Sequence, residues 1–126
     1  MLTAWANDVD FDSVFARQVQ ALGRPGDALV VISTSGRSPN VTAALDEAAA
    51  DGLRTVAILG RGGGDARASA ELSIVVPSED TQRIQETQIV VLHVLVELVE
   101  ERLFARDVET VAERAGTNVG VEREAG

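Results

Sequence analysis

A layered α/β fold around a parallel sheet is what this sequence predicts, and three observations predict it. Apolar runs at residues 28–34, 54–59 and 72–76 lack a polar face, as strands covered on both sides do. Stretches of helical periodicity alternate with these runs, and the junctions carry Gly, Pro, Ser or Asp. The resulting order of strand, helix, strand, short helix, strand and long helix closes by crossover connections into a parallel sheet.

Asp8 or Asp10 is placed to cap a first helix that runs to about Leu22, with Phe11, Val14, Phe15, Val19 and Leu22 at helical spacing. Gly23, Arg24, Pro25 and Gly26 stop it, and Asp27 leads into the first strand. Residues 33–38 form a turn. Pro39 suits the first position of the next helix, with Ser38 as its N-cap. That helix is Ala-rich to Ala50 and ends at Asp51 and Gly52. After the second strand, Gly60 to Gly64 read as a flexible turn and residues 65–70 as a short helix. Pro77 stops the third strand. Asp80 or Thr81 opens a long helix reaching Phe104, apolar almost all round at 89–98, so that this part is expected to be buried within the domain or between subunits. Residues 1–104 are thus expected to form the domain, and residues 105–126 a frayed helix and a disordered tail. Three strands make a small sheet whose edge is bare unless a further segment or a partner chain covers it.

The 126 residues suffice for one domain, and 45% apolar with 25% charged residues is the balance of a globular protein. With no cysteine, disulfides and thiolate metal sites are excluded. A net charge of −9 argues against nucleic acid as a partner. No apolar stretch has the length of a membrane span and no basic region with an apolar core follows Met1, so a cytoplasmic protein is expected.

Chemistry concentrates first in Ser33, Thr34, Ser35, Gly36, Arg37 and Ser38, between a buried strand and a helix N-terminus. Ligands of open parallel sheets bind at the carboxyl ends of strands, and a helix N-terminus offers free amides and about half a positive charge. Four hydroxyls and a glycine that admits an anion to the backbone suit a phosphate monoester without lysine. The plainer reading is a turn rich in capping residues. His93, the only histidine, stands in an apolar stretch, where a core role is the plain alternative. Glu86 lies seven residues before it on nearly the same stripe. Gln85 lies eight before, about 12 Å along an ideal helix, so that both must lean inward to share a metal. Asn7 and Asp8 form a third candidate, with helix capping as the plain alternative.

In order and spacing, Asn7, Asp8, Phe11, Arg17, Pro25, Gly26, Asp27, residues 32–38, residues 83–86 and His93 resemble phosphoheptose isomerases, over residues 2–104. These are sugar isomerase (SIS) domain enzymes that convert sedoheptulose 7-phosphate to D-glycero-D-manno-heptose 7-phosphate. The resemblance implies a three-layer α/β/α, flavodoxin-like SIS fold and an aldose–ketose isomerase of heptose synthesis. It implies phosphate contacts from Ser33, Thr34, Ser35 and Ser38, and substrate contacts from Asn7, Asp8 and Gln85. It further implies Zn²⁺ at Gln85 and His93, with His93 as metal ligand or acid/base catalyst, and a homo-oligomer, a tetramer by family. The family's N-terminal half, with a strand, a Gly-Asn-Gly-Gly-Ser turn and a helix bearing a His and a catalytic Glu, has no counterpart here. The fold is therefore expected to be truncated, and the chain inactive alone. A non-catalytic phosphosugar-binding or regulatory SIS module is the alternative, and an α/β domain without ligand the plainest one.

Overall fold

The computed structural model describes residues 2–116, with side chains described as far as Phe104. The chain divides into two units, Met1–Ile89 and Val90–Gly126.

The first unit holds the α/β architecture. Strands β1 (Ala28–Ser33), β2 (Arg54–Leu59) and β3 (Leu72–Val75) form one parallel sheet in the order β1-β2-β3. The register aligns Val31 with Ala57 and Ile32 with Ile58, and Ile58 in turn with Ile74. Two helices precede the sheet, α1 (Leu2–Asp8) and α2 (Val14–Leu22); α3 (Pro39–Ala50) and the short α4 (Ala66–Ser69) are the crossovers; α5 (Thr81–Gly116) follows β3. Val31, Leu45, Ala57, Leu59 and Ala66 bury one another, so α3 and α4 cover the same face of the sheet. Val19 of α2 packs on Ala44 and Ala48 of α3. The Ala-rich sequence of α3 serves this close approach, since small side chains let α2 and the sheet both reach it.

Helix α3 begins and ends as its residues dictate. Pro39 occupies the first turn, where its missing N–H costs nothing. At the other end Gly52 takes φ +76°, its N–H donates to Ala49, and the Leu53 N–H donates to Ala48. That pair of bonds satisfies the last carbonyls and returns the chain, through Leu53 against the core, into β2.

Three expectations need correction. The single first helix is two. Asp10 accepts hydrogen bonds from the Ser13 N–H (2.7 Å) and the Ser13 hydroxyl (2.8 Å), and Trp5 Nε1 donates to the same hydroxyl oxygen (2.8 Å). The carboxylate thus shapes the turn between α1 and α2, Ser13 is the N-cap residue of α2, and Asp8 ends α1 instead of starting a helix. Val14 and Val19 are buried as the periodicity implies, whereas Phe11, Phe15 and Leu22 are exposed. Second, β1 is not covered on both sides: Val30 is 45% and Ile32 46% exposed, while Ala57, Ile58 and Leu59 of β2 are at 0%. An open groove of about 590 Å³ runs along the free edge of β1, lined by Phe15 and Leu22 of α2, Val30 and Ile32 of β1, and Val41 and Ala44 of α3 among others. Third, residues 60–64 are no loose connector. A 3-10 turn, Arg61–Gly63, is fastened by the Arg61 N–H to Ser78 and by the Arg61 guanidinium to Thr81 Oγ1 (2.7 Å).

In the second unit the helix continues to Gly116. Val90, Val94, Val96, Leu98, Val99, Leu103 and Phe104 are exposed, as is Ile89 at the end of the first unit, so the expected burial of 89–98 within the domain is not found. Among the described residues of this unit the helix has no second element to pack against. Residues 117–126, assigned to the tail, lie outside the described residues. Among the described residues no helix is long and apolar enough to cross a membrane.

Candidate functional site

Residues 33–38 join the carboxyl end of β1 to the N-terminus of α3 and are held at both ends. At the entry, the Ser33 carbonyl accepts from the Gly60 N–H (3.2 Å), and the buried Ser33 hydroxyl accepts from the Gly36 N–H (3.0 Å). At the apex, Gly36 takes φ +63° and its carbonyl accepts from the Ala66 N–H (2.9 Å). A Cβ on Gly36 would stand 1.9 Å from the Gly63 carbonyl oxygen, and one on Gly64 would stand 2.5 Å from the Gly36 carbonyl oxygen. The two loops therefore interlock backbone to backbone, which only glycines permit.

The arrangement leaves anion-binding groups unspent. Ser38 is the N-cap residue of α3, yet its hydroxyl makes no capping bond. The Ser38 carbonyl accepts from Val41 and Thr42, while the amides of Ser35, Ser38 and Asn40 donate to no acceptor among the described residues. The Ser35 hydroxyl accepts from the Arg37 N–H at 3.3 Å. Thr34, Ser35 and Ser38 are half-buried. Free amides, hydroxyls and the positive end of α3 thus converge at the tip of a parallel strand, the arrangement that stabilises a phosphoryl dianion. Ser33 differs from the other three in being buried, with its hydroxyl oxygen turned to holding Gly36.

The remaining candidates lie on other elements. Asn7 and Asp8 are exposed at the end of α1, where Asn7 Nδ2 donates to Asp8 Oδ1 (2.8 Å). Gln85 is exposed on α5, and Glu86 beside it is paired with Arg83 at 2.6 Å on an exposed surface. His93 is exposed in the second unit and is no core histidine. Among the described residues no group of three or more His, Cys, Asp or Glu side chains is placed to hold a metal ion. Gln85 and His93 are two donors, and a zinc site needs three or four. The described residues therefore do not by themselves fit a zinc ion.

Sequence reasoning missed Gln88. It is buried, and its Nε2 donates to the carbonyls of Ile58 (3.0 Å) and Ser33 (3.3 Å). Gln88 lies four residues after the fully buried Ile84, on the inward stripe of this part of α5, where a polar residue requires partners that the sequence does not name.

Comparison with known proteins relates the chain to one group of enzymes. The SIS domain family model matches residues 2–60. The chain is 51% identical over 106 residues to a phosphoheptose isomerase of Citrifermentans bemidjiense, covering 84% of this chain and 55% of that protein. It is 52% identical over 104 residues to the phosphoheptose isomerase of Geobacter sulfurreducens, covering 82% and 55%. Among solved structures, a phosphoheptose isomerase from Neisseria gonorrhoeae superposes with a TM-score of 0.76 at 44% identity, covering 78% of this chain and 56% of that one. Another from Francisella tularensis gives 0.76 at 34% identity, covering 79% and 54%. The chain thus spans little more than half the length of the relatives it matches, and within that span it is similar to the phosphoheptose isomerases of the SIS-domain family.

Proposed function

We propose that this chain is the phosphosugar-binding portion of a phosphoheptose isomerase, serving the interconversion of sedoheptulose 7-phosphate and D-glycero-D-manno-heptose 7-phosphate. The observation that carries the reading is the turn at 33–38, whose Ser38 hydroxyl and the amides of Ser35, Ser38 and Asn40 are left for an anion. Thr34, Ser35 and Ser38 would hold the phosphate, with Ser33 shaping the turn, and Asn7, Asp8 and Gln85 would contact the sugar.

Aldose–ketose isomerisation moves a proton between C1 and C2 through an enediol. It needs a base at carbon, an acid at oxygen and a group that polarises the carbonyl. His93 is the acid this chain offers. Glu86 is exposed and its carboxylate is engaged by the Arg83 guanidinium, so it is not presented as a free base. The base is therefore expected from outside this chain, as are the donors that would complete a zinc site with Gln85 and His93. Assembly into a homo-oligomer, a tetramer by family pattern, belongs to the same reading and would cover the apolar surface at 89–98; a cytoplasmic location belongs to it as well.

Calorimetric titration of the pure chain with sedoheptulose 7-phosphate tests the proposal. Saturable binding is expected, together with no measurable turnover when the same sample is followed by NMR. A chain that binds no sugar phosphate contradicts the assignment. Turnover by the chain alone would show that the base lies within these residues after all.

A further inference from the structure

We propose that Gln88 is a positioning residue for the phosphate turn: its side-chain amide ties the carbonyls at the tips of β1 and β2 and so sets the direction in which the turn presents its amides. The inference rests on the phosphosugar reading above and names a residue on which that site depends without touching the ligand.

The carboxyl end of a parallel strand is an awkward place for an anion, because the last main-chain carbonyl oxygens, with partial negative charge, run out of ladder partners there. Here that charge is occupied. The Ser33 oxygen has two lone pairs; the Gly60 N–H takes one and Gln88 Nε2 the other. The second hydrogen of the same Nε2 goes to Ile58. One neutral side chain thus quiets two carbonyls beneath the phosphate position without adding a charge that would compete for the ligand. It also orients the peptide plane between Ser33 and Thr34, the first of the turn. With the Ser33 hydroxyl holding Gly36 and the Gly63–Gly64 backbone backing it, this leaves the turn little freedom. Preorganised donors bind an anion more tightly than donors that must be ordered on binding. A lysine or arginine would satisfy the carbonyls as well, but only by burying a full charge.

The test uses the full chain and two probes, inorganic phosphate and sedoheptulose 7-phosphate. Gln88→Met keeps the side chain's length and removes both donors; Gln82→Met, at an exposed position on the same helix, is the control. Gln88→Met is expected to lose about tenfold in affinity for both probes, the worth of roughly one net hydrogen bond. Its ¹H–¹⁵N spectrum is expected to show displaced amides at 34–38 before any ligand is added, and Gln82→Met neither effect. A merely structural glutamine would lower the melting temperature and leave the affinity of the folded fraction unchanged. A folded Gln88→Met that binds both probes within twofold of the parent therefore overturns the inference and leaves the phosphosugar reading intact. If that variant does not fold, the parent chain decides: the Gln88 side-chain amide protons should be protected from exchange and shift as phosphate saturates. Absence of either overturns the inference. A parent chain that binds neither probe overturns the phosphosugar reading, and this inference with it.

Discussion

Strands β1 and β2 lie side by side with nearly interchangeable apolar sequences and end in opposite surroundings. Ile58 of β2 is at 0% exposure, while Ile32, its register partner in β1 on the same face, is at 46%. Hydrophobicity alone does not distinguish them; position does. A central strand is closed by neighbours on both edges, and an edge strand with a groove beside it has the composition of a core strand without the cover. The open side of β1 belongs to a chain that spans about 55% of its curated relatives' length. The tip of the same strand is, by contrast, tightly held, by Gly60, Gln88 and the hydroxyl of Ser33 itself. Residues that position the candidate site are thus ordered even where the strand's flank is not covered.

The largest expected effect separates the two strands. Ile58→Ala should destabilise the chain by about 3–4 kcal/mol in urea denaturation, as fully buried truncations do, whereas Ile32→Ala should cost about 1 kcal/mol. Equal losses would mean that Ile32 is covered in solution, and repeating the measurement across protein concentrations would show whether self-association covers it. Next come two glycines that both have positive φ. Gly36→Ala meets the Gly63 backbone as well as the conformational penalty and should cost about 2–3 kcal/mol. Gly26→Ala has open space around the new methyl and should cost about 1 kcal/mol. Thermal melts that rank the two alike would break the claim that the glycine loops interlock. The smallest effect is assigned to Arg54→Ala. The Arg54–Glu71 pair is exposed at the start of β2, and its loss should change stability by no more than about 0.5–1 kcal/mol and should fade in high salt.

Much of the fold was legible in the sequence because it was written in local terms. Uniformly apolar runs marked all three strands to within a residue, and Pro39 and Gly52 bracketed α3 through backbone rules that act on single residues. The serine turn was legible for the same reason, since its place between strand and helix determines its chemistry. What was not legible depends on contacts between distant segments. The interlocking of Gly36 with Gly63 and Gly64 joins loops far apart in sequence, so a run of glycines read as a loose connector. Gln88 meets Ser33 across 55 positions and Ile58 across 30, and nothing local reports those partners. The break between α1 and α2 turns on one carboxylate, Asp10, folding back on Ser13 in competition with helix capping by Asp8 or Asp10. The bare flank of β1 was misjudged because an apolar run records what a strand is suited to, not what covers it.

The central claim is that hydroxyls and amides at the head of α3 bind a phosphoryl group. Calorimetry of the Ser35→Ala/Ser38→Ala double variant against sedoheptulose 7-phosphate, beside the parent chain, tests it most directly. Saturable binding by the parent is expected, with a loss of at least about a hundredfold in the folded double variant, since two hydrogen bonds to a charged group are removed. Binding of equal strength in both proteins would contradict it.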